Sequence, residues 1–144
     1  ADLDAPHALD VASASAPYDV LFAAAILEHL KQAETILKDA HKLLKPNATV
    51  IVSLPNIAHW SMRLRLLLGQ FDYQDYGIMD KTHVHLYTLQ TGRALLEQNG
   101  YRVEQVHIAG SAVQNILSSL FGERMPLVFP SLLAYELIYV ARKP

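Results

Sequence analysis

The 144-residue chain has no cysteine, which excludes disulfides, catalytic thiolates and thiolate metal sites. Charge is scarce: only 18% of residues are charged, with 12 Lys and Arg against 14 Asp and Glu for a net charge of -2. An average soluble domain carries roughly 25%. The densest cationic cluster is Arg63 with Arg65, backed by Arg142 and Lys143, which supplies no field for a phosphate backbone, so nucleic acid is not an expected partner. Glycine is sparse as well, and none of the six forms a GxGxG pattern. Long apolar runs are absent, since Met125 to Ala141 is broken by Pro126, Pro130 and Glu136 and falls short of the ~20 residues that span a bilayer. No membrane span is expected. Ala1 to Pro17 carries Asp2, Asp4 and Asp10 without a basic start or apolar stretch of signal length, which makes the cytoplasm the expected compartment.

What remains is a chain that is 51% hydrophobic and long enough to bury roughly 70% of the surface its unfolded form exposes, so residues 1–144 read as one domain. The apolar share against so little charge points to surface reserved for something besides water. Tyr18 to Leu27, YDVLFAAAIL, is apolar without polar alternation, the signature of an interior strand buried on both faces of a parallel sheet. Ala33, Ile36, Leu37, Ala40, Leu43 and Leu44 follow at helical spacing, with Lys42 and Lys45 in the last turn and Pro46-Asn47 as the stop. Ala48 to Leu54 is a second β-branched run, completing a strand, helix, strand crossover.

After Pro55, Asn56 is the expected cap of a helix that buries Ile57, Trp60, Leu64, Leu67 and Leu68 and closes at Gly69. Trp60 is read as core rather than as a stacking platform. Phe71 to Lys81, FDYQDYGIMDK, is aromatic, acidic and aperiodic, and is expected to be an ordered surface loop. Thr88 is placed to cap a short helix with Leu89, Leu95 and Leu96 inward, terminated by Asn99-Gly100. In Tyr101 to Ile108 the apolar positions shift from 101 and 103 to 106 and 108, predicting a strand with a bulge near Gln105. Val113, Ile116, Leu117, Leu120 and Phe121 mark a further amphipathic helix, and Tyr135 to Ala141 a last strand.

At Leu27-Glu28-His29-Leu30, between the first strand and the helix that ends in Leu43-Leu44-Lys45-Pro46-Asn47, the sequence resembles the class I S-adenosylmethionine-dependent methyltransferases. Leu54 to Trp60, Phe71-Asp72-Tyr73 and Asp80-Lys81-Thr82-His83 resemble a bacterial branch acting on sugars, lipids or other small metabolites. The resemblance implies an α/β fold, the C-terminal part of a Rossmann-like methyltransferase sheet. That sheet is mixed, with Tyr18-Asp19-Val20-Leu21 as the fourth of seven strands, a closing antiparallel hairpin and helices on both faces. The family's first strand and its glycine-rich cofactor loop have no counterpart here, so the fold reads as truncated and its binding of S-adenosyl-L-methionine as weak or absent. Asp2 and Leu3 resemble the family's adenine contact, and Ala24 its loop contact. Ala25 departs from the pattern, since many relatives carry Asp there.

The resemblance places Glu28 and His29 beside the reactive methyl group, with His29 as a base when a hydroxyl attacks. The plain alternative is helix entry chemistry, with Glu28 complementing the helix dipole. His83 follows the acidic aromatic loop and is the second catalytic candidate; its alternative is a structural histidine bonded to a loop carbonyl. Asn56, His59 and Tyr73 join Glu28 as candidate substrate contacts, with Tyr73, Asp75 and Tyr76 forming either a lid or a self-packed loop. Arg63 and Arg65 read as a solvated helix face rather than an anion trap. His83 and His85 would share a face on a strand, within reach of His29 and His59. Lacking cysteine, HExxH spacing or clustered carboxylates, the sequence predicts no metal site.

Two functions follow. One is methyl transfer to a small molecule by this chain joined to an N-terminal part. The other is a non-catalytic interaction or dimerisation module, which would pair through the sheet edge that Tyr18 to Leu27 leaves open.

Overall fold

The computed structural model describes residues 2–110 and 129–144. After a one-turn helix α1 (Asp10–Ser13), strand β1 (Tyr18–Ala24) leads through a 3-10 turn (Leu27–His29) into helix α2 (Ala33–Leu43) and strand β2 (Leu44–Pro55). Helix α3 (Trp60–Leu67), a long irregular segment, helix α4 (Leu89–Gln98) and strand β3 (Arg102–Ala109) follow. A short helix α5 (Pro130–Leu133) introduces strand β4 (Glu136–Arg142). The predicted helix at Val113 to Phe121 lies outside the described residues.

The strands form one mixed sheet in the order β1-β2-β4-β3. β1 and β2 run parallel, as a crossover through α2 requires, and β4 is antiparallel to both of its neighbours. The α/β architecture with a closing antiparallel strand is thus the one expected. So is the bulge, which falls between Val103 and Gln105.

Period-2 burial builds the core. Val50, Val52 and Leu54 of β2 lie opposite Ala141, Tyr139 and Leu137 of β4, and all six are fully buried. Ala33, Leu37 and Ala40 of α2 and Leu95 and Leu96 of α4 complete this core. α4 begins as its sequence predicts, with Thr88 Oγ1 accepting from Thr91 N–H while Thr91 Oγ1 accepts from Thr88 N–H. It ends with Asn99 donating to the Leu95 carbonyl and Gly100 at φ +90°. Tyr101 anchors β3 to α2 by donating to the buried Leu37 carbonyl at 2.7 Å.

Three expectations fail here. β1 is not interior but an edge strand, and Val20 and Phe22 are 54% and 67% exposed. An apolar run without alternation reports burial on both faces only where other elements supply the cover, and among the described residues β1 pairs with β2 alone. Second, α3 buries no residue: Trp60 is 44%, Leu64 48% and Leu67 83% exposed. Its apolar stripe is correctly periodic, yet it faces away from the core, so Trp60 is surface. Third, the cap of α3 is His59, whose Nδ1 accepts from Ser61 N–H and Oγ. Asn56 lies one turn earlier and is fully buried.

Candidate active site

The carboxyl ends of β1 and β2 carry the candidate residues, the position at which open α/β sheets bind ligands. The two ends are joined where Ala25 N–H donates to Ser53 Oγ at 3.1 Å. Ala25 holds a left-handed φ of +48°, which turns the chain sharply out of β1 and into the 3-10 turn.

That turn is stitched to the segment before α4. The Glu28 carbonyl accepts from Val84 N–H at 2.8 Å and His85 N–H at 3.1 Å. His29 Nδ1 lies 3.2 Å from the Thr82 carbonyl and 3.1 Å from Thr82 Oγ1. A carbonyl only accepts, and the Thr82 hydroxyl already donates to Asp80 Oδ1 at 2.7 Å, so His29 Nδ1 carries the proton. The same reasoning fixes His83, whose Nδ1 sits 3.1 Å from the Ile78 carbonyl. In its neutral form each ring therefore carries its lone pair at Nε2. Their centroids are 4.8 Å apart in an edge-on arrangement.

Glu28 stands with them. Its side chain is 1% exposed, and Oε2 has no hydrogen-bond partner among the described residues. Burial pushes its carboxyl pKa up, a shift that its own backbone N–H and the adjacent His29 and His83 partly offset. Asp80 behaves oppositely, held below the usual carboxylate range by the N–H and hydroxyl of Thr82. Asp80 and Thr82 are the residues that sequence reasoning missed. The signal was present: Asp-x-Thr is the spacing at which a carboxylate caps the backbone two residues on, here at 2.8 Å. The Asp80-Lys81-Thr82-His83 motif is thus a device for aiming His29, with Lys81 paired to Asp75 at 2.6 Å.

The other candidates separate from this cluster. Asn56 spends its amide internally, donating to the Ser131 and Ala134 carbonyls at 2.9 and 2.8 Å and accepting from Ala58 N–H. His59, 8% exposed, caps α3, packs on Trp60 and Tyr135, and has its pKa lowered by burial. Tyr73 is exposed on the loop beside Phe71, and the loop is self-packed through Gln74 N–H to the Met79 carbonyl and Lys81 N–H to the Gln74 carbonyl. Buried Ile78 and Met79 anchor it. His85 leaves His83, since the segment is not a strand and His85 Nε2 approaches the Lys31 carbonyl instead. Asp2 is exposed, its Oδ1 accepting from Asp4 N–H, while Leu3 shares an apolar hollow of about 110 Å³ with Phe22, Ala23 and Ile26. Ala24 ends β1 and is partly exposed. A second apolar hollow of about 80 Å³ lies between Met62, Leu66, Phe71 and Met79.

A mixed α/β sheet with helices and with its candidate residues at the strands' carboxyl ends is a Rossmann-like fold. The sequence profile of the methyltransferase domain family matches residues 2–106, and the chain belongs to that family. No curated protein matches the sequence. Among solved structures, the chain is similar to a SAM-dependent methyltransferase from Archaeoglobus fulgidus, with a TM-score of 0.59 at 14% identity over 92% of this chain and 64% of that one. One from Mesorhizobium loti gives 0.58 at 16% over 99% and 67%. The small RNA methyltransferase HEN1 gives 0.58 at 21%, covering 91% of this chain and 14% of its own. The chain therefore spans less than two thirds of the Archaeoglobus protein and a small part of HEN1. These likenesses establish the fold as that of the class I S-adenosylmethionine-dependent methyltransferases.

Proposed function

We propose that the chain is the acceptor side of an S-adenosylmethionine-dependent methyltransferase acting on a small molecule. The observation that carries this reading is the cluster at the carboxyl end of β1, where two imidazoles are fixed with free Nε2 lone pairs beside Glu28. The residues present fit one end of the cofactor: the exposed Asp2 carboxylate suits an exocyclic amine, and Leu3 and Ala24 border apolar surface. When bound, the cofactor supplies an activated methyl group on a sulfonium. The chain's residues then align the acceptor, exclude water and take its proton at His29 Nε2, whose ring orientation Thr82 enforces. Glu28 lies buried behind the imidazoles, and Asn56 supports the site by holding the end of β2. Similar structures include a small RNA methyltransferase and a magnesium protoporphyrin IX methyltransferase, so they select no acceptor. The net charge of -2 favours a small molecule over RNA.

Amide and side-chain NMR shifts of the chain titrated with S-adenosylmethionine test the reading. Weak binding is expected, with changes concentrated at Asp2, Leu3, Ala24 and His29. Changes confined to β3 or α3, or micromolar affinity, would overturn it. A non-catalytic interaction module has its own supporting observation, the exposed apolar β1 and α3. It predicts self-association with no cofactor response.

A further inference from the structure

We infer that Glu28, His29 and His83 form a binding site for one divalent first-row transition-metal ion. Each residue offers one ligand atom, and the three atoms lie within 4.8 Å of one another. A cation with bonds of about 2.0–2.2 Å wants its ligands roughly 3.0–3.5 Å apart, so side-chain rotations of about 1 Å close the site.

Three features of the cluster are those of a ligand set rather than of a packed polar group. Each histidine donates its Nδ1 proton to a backbone carbonyl, Thr82 for His29 and Ile78 for His83, which leaves a basic Nε2 on each ring. Metal-ligating histidines are oriented in this way almost without exception. Glu28 Oε2 is buried without a partner among the described residues, and a buried carboxylate oxygen normally finds either a donor or a cation. The supporting residues are also braced: Thr82 is fixed by Asp80, and the Glu28 carbonyl holds the backbone of Val84 and His85. The site is therefore built from two sides, the 3-10 turn and the loop.

Two imidazoles and one carboxylate select zinc, cobalt, manganese or iron over magnesium or calcium, which prefer all-oxygen shells. Three protein ligands leave open positions, and His29 and His83 are partly exposed, so an oxygen of the acceptor has access to the ion. With the ion in place the two histidines act as ligands, and the cation acidifies the acceptor hydroxyl so that its proton leaves to bulk water instead of to His29. That last role rests on the methyl-transfer reading; the binding site does not.

The test is titration of the untagged, chelator-treated chain with Co²⁺, followed by visible absorption and calorimetry. One equivalent is expected to bind, with d–d bands of a low-coordinate nitrogen and oxygen site, and Zn²⁺ should displace it. His29→Ala, His83→Ala and Glu28→Gln should each weaken binding at least about 10-fold, and Thr82→Val, which frees His29, by about 10–100-fold. His107→Ala, on exposed β3, should not change it. Near-ultraviolet circular dichroism confirms that each variant is folded, and Glu28→Gln, the nearest in shape, is decisive if an alanine variant is not. Absence of d–d bands, binding that survives Glu28→Gln and His83→Ala together, or preference for Mg²⁺ would overturn the inference. Cofactor-induced shifts confined to β3 or α3, with intact Co²⁺ binding, would refute the methyl-transfer reading and leave the metal site standing.

Discussion

Gly92→Ala tests how tightly α4 is seated on the sheet. At an exposed helical position this change stabilises by about 1 kcal/mol, because alanine loses less backbone entropy. Gly92 is buried, and a Cβ added there would meet the hydroxyl of Tyr139 and stand 2.8 Å from its Cζ and 3.0 Å from Leu54 Cδ1. Neither side chain has room to yield. Tyr139 is fully buried between Val52 and Val106 in the sheet register, and its hydroxyl donates to the Leu89 carbonyl at 3.1 Å. Overpacking costs about 1–3 kcal/mol and the disturbed hydroxyl bond about 0.5–1.5, so against the helical gain the net is a loss of about 0.5–3.5 kcal/mol. Urea titration of both proteins reads this as a lowered midpoint at unchanged slope. In a Tyr139→Phe background the clashing oxygen is gone, and the cost of Gly92→Ala should shrink. A midpoint that rises, or a cost that Tyr139→Phe leaves unchanged, would refute the close approach.

Leu96→Ala should destabilise by about 2–5 kcal/mol, whereas Leu67→Ala, on the exposed face of α3, should stay within about 0.5 kcal/mol; equal losses in urea would contradict the assigned faces. Burial lowers the pKa of His41, with Lys143 beside it adding to the effect, and burial also lowers that of His59. The unfolded chain then takes up protons near pH 6.5 that the folded chain refuses, so this stability is complete above about pH 6.5 and is lost as pH falls below it. Glu28, with its raised carboxyl pKa, acts in the opposite sense. In a Glu28→Gln background the urea midpoint should therefore fall from pH 7.5 to 5.5, and His41→Gln should flatten the slope; a flat profile before that substitution contradicts the histidine assignment. Phe22→Lys, on the open edge strand, should reduce any self-association measured by light scattering at high micromolar concentration, and an unaffected dimer would place the contact elsewhere.

How much of this was legible beforehand depends on whether the deciding interaction is local. The cap at Thr88, the stop at Asn99-Gly100 and the bulge near Gln105 are written in residues within a few positions of one another, and all three stand where the sequence puts them. The stripe of α3 was equally visible, but periodicity gives a face and not what lies opposite it. β1 shows the same gap between composition and cover. In the site, Glu28, His29 and His83 were each visible as candidates from the motif residues around them. The approach of His29 to His83 was raised by the sequence, but the bonds that fix it and bring buried Glu28 beside both were not, because they span more than fifty residues, from the 3-10 turn to Thr82 and Val84. Asn56 was visible as a conspicuous polar residue after a strand, yet its partners, Ser131 and Ala134, come from the other end of the chain.

The position of β4 governs the order in which the molecule is assembled. β3 has no sheet partner among the described residues except β4, and β4 reaches it only by lying down beside β2 at the same time. As the chain leaves the ribosome, β1, α2 and β2 emerge before β4, the antiparallel partner of β2, while α4 and β3 emerge with no described strand yet in place for β3 to join. Seven residues, Glu136 to Arg142, then close both gaps in one step. Until that happens β2 presents a bare hydrogen-bonding edge lined with Val50, Val52 and Leu54, so a nascent chain halted before Glu136 is a template for aggregation rather than a smaller version of the fold.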